Sequence, residues 1–212
     1  MKIEIFADIV CPWCFVGRRR LDEALTYFDH SDDVVISYRS FELDPGAQLY
    51  SGASIVELIS KKYNVTLEEA RGFNENLLNI GVELGIDFDF EKMSPTNSFD
   101  AHRLVQLAIK SGLGEEMVES LMKGYFEDGA LISDHEQLAS MASRAGMDFS
   151  RVSEVLGSDE FAIEVRRDES FAASIGVSGV PFYLIEDKYA ISGAQDTMTF
   201  VSAMTAVWSK LK

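Results

Sequence analysis

Cysteine, proline and cationic side chains are all scarce in this sequence. Only two of 212 residues are cysteine, Cys11 and Cys14, and they share one four-residue stretch. Two thiols cannot staple a disulfide-rich miniprotein. Four prolines and 15 glycines exclude collagen and Pro/Gly-rich low-complexity chains. Lys and Arg number 19 against 35 Asp and Glu, a formal net charge of -16. That balance excludes a general nucleic-acid binder, whose affinity comes largely from cations on phosphates. It also opposes docking on an anionic membrane. No apolar run approaches the ~20 residues of a membrane span. The start does not resemble a secretory leader, because Glu4 and Asp8 interrupt the apolar residues that follow Met1. The expectation is therefore a cytoplasmic protein, in which a structural disulfide does not explain the cysteines. Hydrophobic residues make up 47% and charged residues 25%, an ordinary globular composition able to bury a core without staples.

The hydrophobic pattern changes twice along the chain. Ile3, Ile5, Ala7 and Ile9 alternate with their neighbours, and the segment 2–10 becomes apolar on both faces, as a central strand would. Phe15, Val16, Leu21, Ala24, Leu25 and Phe28 then recur at helical spacing, and a second strand is predicted over 34–41. Strand, helix and strand within this span have the size of a βαβ unit. From 54 to about 176 the pattern is almost wholly helical. Ser54 with Glu57 and Thr66 with Glu69 have capping-box spacing and predict helices over 54–63 and 66–84. Further helices are predicted over 98–111, 114–127, 134–145, 149–157 and 159–175, with Gly112, Gly146 and Gly176 as stops. The acidic residues Asp159, Glu160, Glu164, Asp168 and Glu169 are expected on a solvated helix face, and Phe41, Phe73 and Phe99 in the core. Strands return at 182–185 and 189–191, separated by a turn short enough for an antiparallel hairpin, and a helix over 197–210 closes the chain. The two ends are expected to share one sheet.

Cys11-Pro12-Trp13-Cys14 falls where the first strand meets the first helix. The first turn of a helix has unpartnered N–H groups and the positive end of the dipole, both of which favour a thiolate. Cys11 is expected to be the exposed attacking sulfur, with Cys14 one turn further on and able to close a small ring. Pro12 suits an early helix position because its missing N–H would have no partner there. A C-x-x-C beside a βαβ pattern is a thioredoxin-like redox signature. A structural zinc site needs four ligands, and His30, His102 and His135 are scattered without metal-ligand spacing, so no metal is expected. Burial of both cysteines as small hydrophobes fits poorly with a strand-end position and a neighbouring proline. A second anchor is Gly179-Val180-Pro181, which opens the strand at 182. Its plainer reading is a turn before an edge strand.

Together these segments resemble a family. C-P-W-C after the first strand and G-V-P-F-Y far downstream are similar to the thioredoxin superfamily, and more closely to DsbA-like oxidoreductases. The opening I-F-A-D-I-V-C-P-W-C-F-V-G, the central P-T-N-S-F-D-A-H-R-L and the late I-S-G-A-Q resemble the cytoplasmic FrnE-type branch. The resemblance implies an α/β, thioredoxin-like fold formed by 1–50 plus 177–212, with a large all-helical insertion over 51–176. It implies a thiol–disulfide oxidoreductase or isomerase, with Cys11 as nucleophile, Cys14 as resolving thiol and a redox-active disulfide between them in place of a bound cofactor. Pro181 maps onto a cis-proline facing the dithiol. Val180 maps onto the position whose backbone pairs with an extended substrate. The implied partners are disulfide-containing proteins or small molecules and a recycling thiol system, with glutathione a candidate co-substrate.

Two departures from the family stand out. Many relatives carry a buried acid six positions before the nucleophile, where this chain has Ile5. Glu4 and Asp8 are near that position without occupying it. DsbA has histidine between its cysteines. The uncharged Trp13 predicts a weaker thiolate bias and a dithiol less oxidising than DsbA's, at about −120 mV. Asn97 and His102 have two readings, as part of a substrate pocket near the dithiol or as a helix cap and a packing residue. Two other functions share the architecture. One is a glutathione-dependent isomerase or transferase resembling 2-hydroxychromene-2-carboxylate isomerase or the kappa-class transferases, where serine often replaces the dithiol. The other is a redox-sensing or holdase-type binding module.

Overall fold

A computed structural model describes residues 1–50 and 52–211. Ser51, where the inserted domain is expected to begin, and Lys212, the expected end of the thioredoxin-like part, lie outside the described residues. Four strands, β1 (Lys2–Ala7), β2 (Val35–Ser40), β3 (Phe182–Ile185) and β4 (Tyr189–Ser192), form one sheet in the order β2-β1-β3-β4. β1 pairs parallel with β2 and antiparallel with β3, and β3 and β4 form the expected antiparallel hairpin. Helix α1 (Pro12–Thr26) links β1 to β2, and α9 (Thr197–Leu211) closes the chain. Between β2 and β3 lie α2 (Ile55–Tyr63), α3 (Leu67–Leu84), α4 (Phe99–Lys110), α5 (Gly114–Phe126), α6 (His135–Arg144), α7 (Phe149–Leu156) and α8 (Ala162–Ser174). The helical block is thus an insertion between strands of one sheet.

The alternation along β1 divides the core. Ile3, Ile5 and Ala7 join Phe15, Leu21, Phe200 and Met204 in the larger cluster, whereas Phe6 packs with Ala172, Val177 and Leu184 in a smaller one. Both predicted capping boxes form, with Ser54 and Thr66 each exchanging hydrogen bonds with Glu57 and Glu69 respectively. Each satisfies two N–H groups that the first helical turn leaves open.

Three local differences have identifiable causes. The first strand ends at Ala7 rather than at 10, because the Cys11 N–H bonds the Asp8 carbonyl at 3.2 Å and turns the chain. Helix α8 starts at Ala162 rather than 159, because Phe161 adopts left-handed backbone (φ 66°) while burying its ring. Phe73 is exposed and stacks on Tyr63 instead of entering the core.

The larger correction concerns the acidic run near α8. Asp168 is 4% exposed, not solvated. It accepts hydrogen bonds from the Arg39 guanidinium at 2.7 Å, the Ser40 N–H at 3.0 Å and the Gln106 amide at 2.7 Å. Arg39 also donates to the buried Glu4 at 2.6 and 2.8 Å. A buried carboxylate survives only when paired and hydrogen-bonded, and here the partners come from β2 and α4.

Candidate active site

Pro12 occupies the first turn of α1, and Cys11 is the residue just before it, with extended backbone (φ −92°, ψ 110°). The Cys14 N–H bonds the Cys11 carbonyl at 3.0 Å, so both sulfurs sit on the opening turn of one helix. Both cysteines are free thiols. The expected exposure of Cys11 is corrected: Cys11 is 4% exposed and Cys14 2%, while Trp13 between them is 39% exposed. The cover comes from the far end of the chain. Cys11 Sγ lies 3.7 Å from the Val180 carbonyl oxygen, across 169 residues of sequence.

Val180 is half-buried, Pro181 is buried, and the Val180–Pro181 peptide is cis. The Pro181 carbonyl accepts from the Gly193 N–H at 2.8 Å, which ties this loop to the chain just after β4. Gly17 lets α1 approach it. A Cβ there would meet Tyr183 Oη at 2.3 Å and Pro181 Cγ at 3.1 Å, so only a residue without a side chain permits the close packing of helix, loop and strand.

The remaining candidates divide. Asn97 donates to the Ala47 carbonyl at 3.3 Å and accepts from the Phe99 N–H at 2.8 Å. It joins a loop to the start of α4, with both ends of its amide committed to backbone. His102 is 2% exposed, and its Nε2 lies 3.3 Å from Asp8 Oδ1. Sequence reasoning noted Asp8 only as an acid near the usual buried-acid position, three residues before Cys11, and did not pair it with His102. It is fully buried and accepts from the Leu43 N–H at 2.7 Å and the Val10 N–H at 3.4 Å. Ser98 is buried and hydrogen-bonds Asp8 instead of capping α4 with its side chain. Ile5, at the usual acid position, is part of the apolar core.

The two thiols are pushed in opposite directions. The hydrogen bond from the Cys14 thiol pulls the Cys11 thiol down, with further help from the Cys14 and Trp13 backbone, against burial and the Asp8 charge. Burial pushes the Cys14 thiol well up, and the hydrogen bond and charge of Cys11 add to this. One proton shared between two sulfurs therefore rests on Cys14. Burial alone would raise Asp8, but the His102 hydrogen bond and charge, the Leu43 N–H and Ser98 outweigh it and hold the carboxyl below its ordinary value. Alkylation followed against pH should accordingly show Cys11 reacting below the ordinary thiol range of about 8.5, and Cys14 only above it. A more reactive Cys14 would reverse the assignment.

Among the described residues, no group of three or more His, Cys, Asp and Glu is placed to hold a metal ion. No described helix is long and apolar enough to cross a membrane.

A family model described as a DSBA-like thioredoxin domain matches residues 2–205. The structure is similar to that of a probable DsbA oxidoreductase from Streptomyces coelicolor, at 36% identity and a TM-score of 0.94, covering 99% of this chain and 90% of that one. The uncharacterized protein YwbO of Bacillus subtilis (strain 168) is 25% identical over 209 residues, 97% of this chain and 96% of that protein. The cytosolic disulfide reductase DsbM from Pseudomonas aeruginosa, solved with GSH, shares the fold at a TM-score of 0.68 and 13% identity, over 99% of this chain and 100% of that one.

Proposed function

The chain belongs to the DSBA-like thioredoxin domain family, and from that premise we propose that it is a thiol–disulfide oxidoreductase working through Cys11 and Cys14. Cys11 thiolate attacks one sulfur of a substrate disulfide, forms a mixed disulfide and expels the other sulfur as a thiolate. Cys14 loses its proton and attacks Cys11 Sγ, the bond to the substrate breaks, and the second substrate thiolate leaves. Two electrons pass from the dithiol to the substrate, and the reverse order oxidises a dithiol substrate. The observation that carries this reading is the placement of two free thiols on the opening turn of one helix, Cys11 beside the Val180 carbonyl at 3.7 Å and Cys14 buried behind it, an arrangement that favours ionisation of Cys11 and keeps the proton on Cys14.

The half-buried Val180 offers a backbone edge beside Cys11, suited to an extended segment of varied sequence. Disulfide-containing proteins or small molecules are the proposed substrates, in the cytoplasm, with glutathione the candidate recycling thiol. The DsbM comparison supports the last two points through the description of that protein as a cytosolic reductase solved with GSH. Retention of both thiols favours this chemistry over a glutathione-dependent isomerase or transferase, and a turnover test separates it from a holdase-type binding module.

Equilibration of the purified protein in glutathione buffers of graded potential tests the reading. The expected result is a reversible two-electron dithiol couple with a potential below DsbA's value of about −120 mV. A value near −270 mV would mark a reductase, and one near −180 mV an isomerase. Failure of Cys11 and Cys14 to form a reversible disulfide in any of these buffers would reject the function.

A further inference from the structure

Two acids away from the dithiol are buried in a way that pairing alone does not explain. Glu42 follows β2, its side chain is fully buried, and its Oε1 has no hydrogen-bond partner. Glu169 of α8 also has a buried Oε1 without a partner. The two carboxylates meet at one nitrogen: Arg166 Nη1 donates to Glu42 Oε2 at 2.5 Å and to Glu169 Oε2 at 2.7 Å. Arg166 is half-exposed, and its guanidinium lies over the Phe99 ring of α4 at 4.4 Å.

Two ionised carboxylates against one guanidinium would leave a net negative charge where water is scarce. Both Oε1 atoms would be acceptors with nothing to accept. A single proton removes both faults. A protonated carboxyl donates as well as accepts, so it can bond its neighbour, and the remaining carboxylate balances Arg166. In keeping with this, burial pushes the Glu42 carboxyl up and its contact with Glu169 adds to the rise, against Arg166 and the charge of His102.

The other charged groups on the surrounding elements are engaged elsewhere. Asp168 of α8 pairs with Arg39 of β2, which also holds Glu4 of β1. Asp8, after β1, meets His102 of α4, and Asp100 and Arg103 of α4 bind each other. Among the described residues only Arg166 donates to either Glu42 or Glu169.

The pair lies where the chain leaves the sheet for the helical insertion. The next residue, Leu43, donates its N–H to Asp8 Oδ2 at 2.7 Å, and the Asp8 carbonyl accepts from the Cys11 N–H at 3.2 Å. Beyond the dithiol reading and independent of it, we propose that Glu42 and Glu169 hold one proton between them as a latch that fastens the loop after β2 to α8, and that loss of this proton frees the Leu43 contact beside the dithiol. The proton belongs to the folded state. Glutamates of the unfolded chain ionise near about 4.3, and the folded pair keeps its proton above that value. The contribution of the latch to stability is therefore full below about 4.3 and is lost as pH rises through the pair's own value.

Glu42→Gln places an amide NH₂ where the proton would be, keeps an oxygen for Arg166 and cannot titrate. Urea unfolding of this variant and the wild type across a pH series tests the latch. The ratio of the variant's folding constant to the wild type's should rise with pH, by up to about tenfold per unit above about 4.3 and as far as the pair's own value. Glu169→Gln should behave in the same way. An ordinary ion pair with both carboxylates ionised predicts the opposite sign, a ratio that falls as pH rises. That result, or parallel profiles, would overturn the shared proton. The wild-type protein gives a check that depends on no variant's folding. With carbon-13 in its glutamate carboxyls, one titration step should lie above the ordinary carboxyl range, and titration of every glutamate within that range would overturn the proposal. Hydrogen exchange of the Leu43 amide reads the latch itself. Its protection should drop above the pair's value in the wild type and persist in Glu42→Gln, and unchanged protection in the wild type would reject the latch. The Cys11–Cys14 couple should form in Glu42→Gln as in the wild type, so failure of the latch and failure of the dithiol reading are separate results.

Discussion

Cys14→Ser is expected to stop the protein midway, with substrate covalently attached to Cys11. The variant keeps the nucleophile on the opening turn of α1 and the Val180 carbonyl beside it at 3.7 Å. It removes the only sulfur able to break the mixed disulfide from within. Incubation with oxidised glutathione should leave one glutathione per chain on this variant, read as the added mass of the intact protein. Multiple turnover should fall to the background rate. Loss of the Cys14 hydrogen bond, the main influence lowering the Cys11 thiol, should also move Cys11 alkylation to higher pH than in the wild type. Cys11→Ser should behave in the opposite way. Its remaining thiol is 2% exposed and held protonated by burial, so it should trap no adduct near neutral pH. Equal trapping by the two variants would show that either sulfur can attack, and the division of labour would be wrong.

Asp168→Ala is expected to have the largest effect on stability. The carboxylate ties three elements together: the Arg39 guanidinium and Ser40 N–H of β2, the Gln106 amide of α4, and its own helix α8. Removing one partner of a buried pair typically costs about 3–5 kcal/mol, because the other charge is left uncompensated. Arg39 retains Glu4, and its side chain is one-third exposed, so the lower end of that range, about 3 kcal/mol, is the expectation. Urea unfolding should show a lower midpoint with an unchanged slope. Asp168→Asn should fall between the two, since an amide oxygen can still accept from the Ser40 N–H. A loss of less than about 0.5 kcal/mol, the usual range for surface positions, would mean that Asp168 sits on a solvated face after all.

Much of the fold is legible without coordinates because its signals are local. Alternation marked β1, two capping boxes marked the starts of α2 and α3, and a short polar turn marked the β3–β4 hairpin. The dithiol was equally legible, because a C-x-x-C with proline in the first helical turn has few other uses. The same local reasoning misplaced Asp168. Within its helix it is one acid among several, and its partner Arg39 lies 129 residues earlier. The pairing of Asp8 was illegible for a similar reason. An acid at a strand end is ordinary until His102, 94 residues later, is brought against it.

The amino-acid sequence by itself determined the order of the elements, the position of the thiols at a helix start and the acidic balance of -16. These depend on backbone sterics, periodicity and hydrogen bonds that reach only a few residues. Tertiary structure decided which polar groups are buried and what they meet. It placed Val180 over Cys11, removed the exposure expected for the attacking sulfur, and joined Asp8 to His102 across the sheet and the helical insertion. The reason is desolvation. A carboxylate or thiol changes its proton affinity when water is withdrawn and specific partners replace it, and those partners come from segments that only the completed fold brings together.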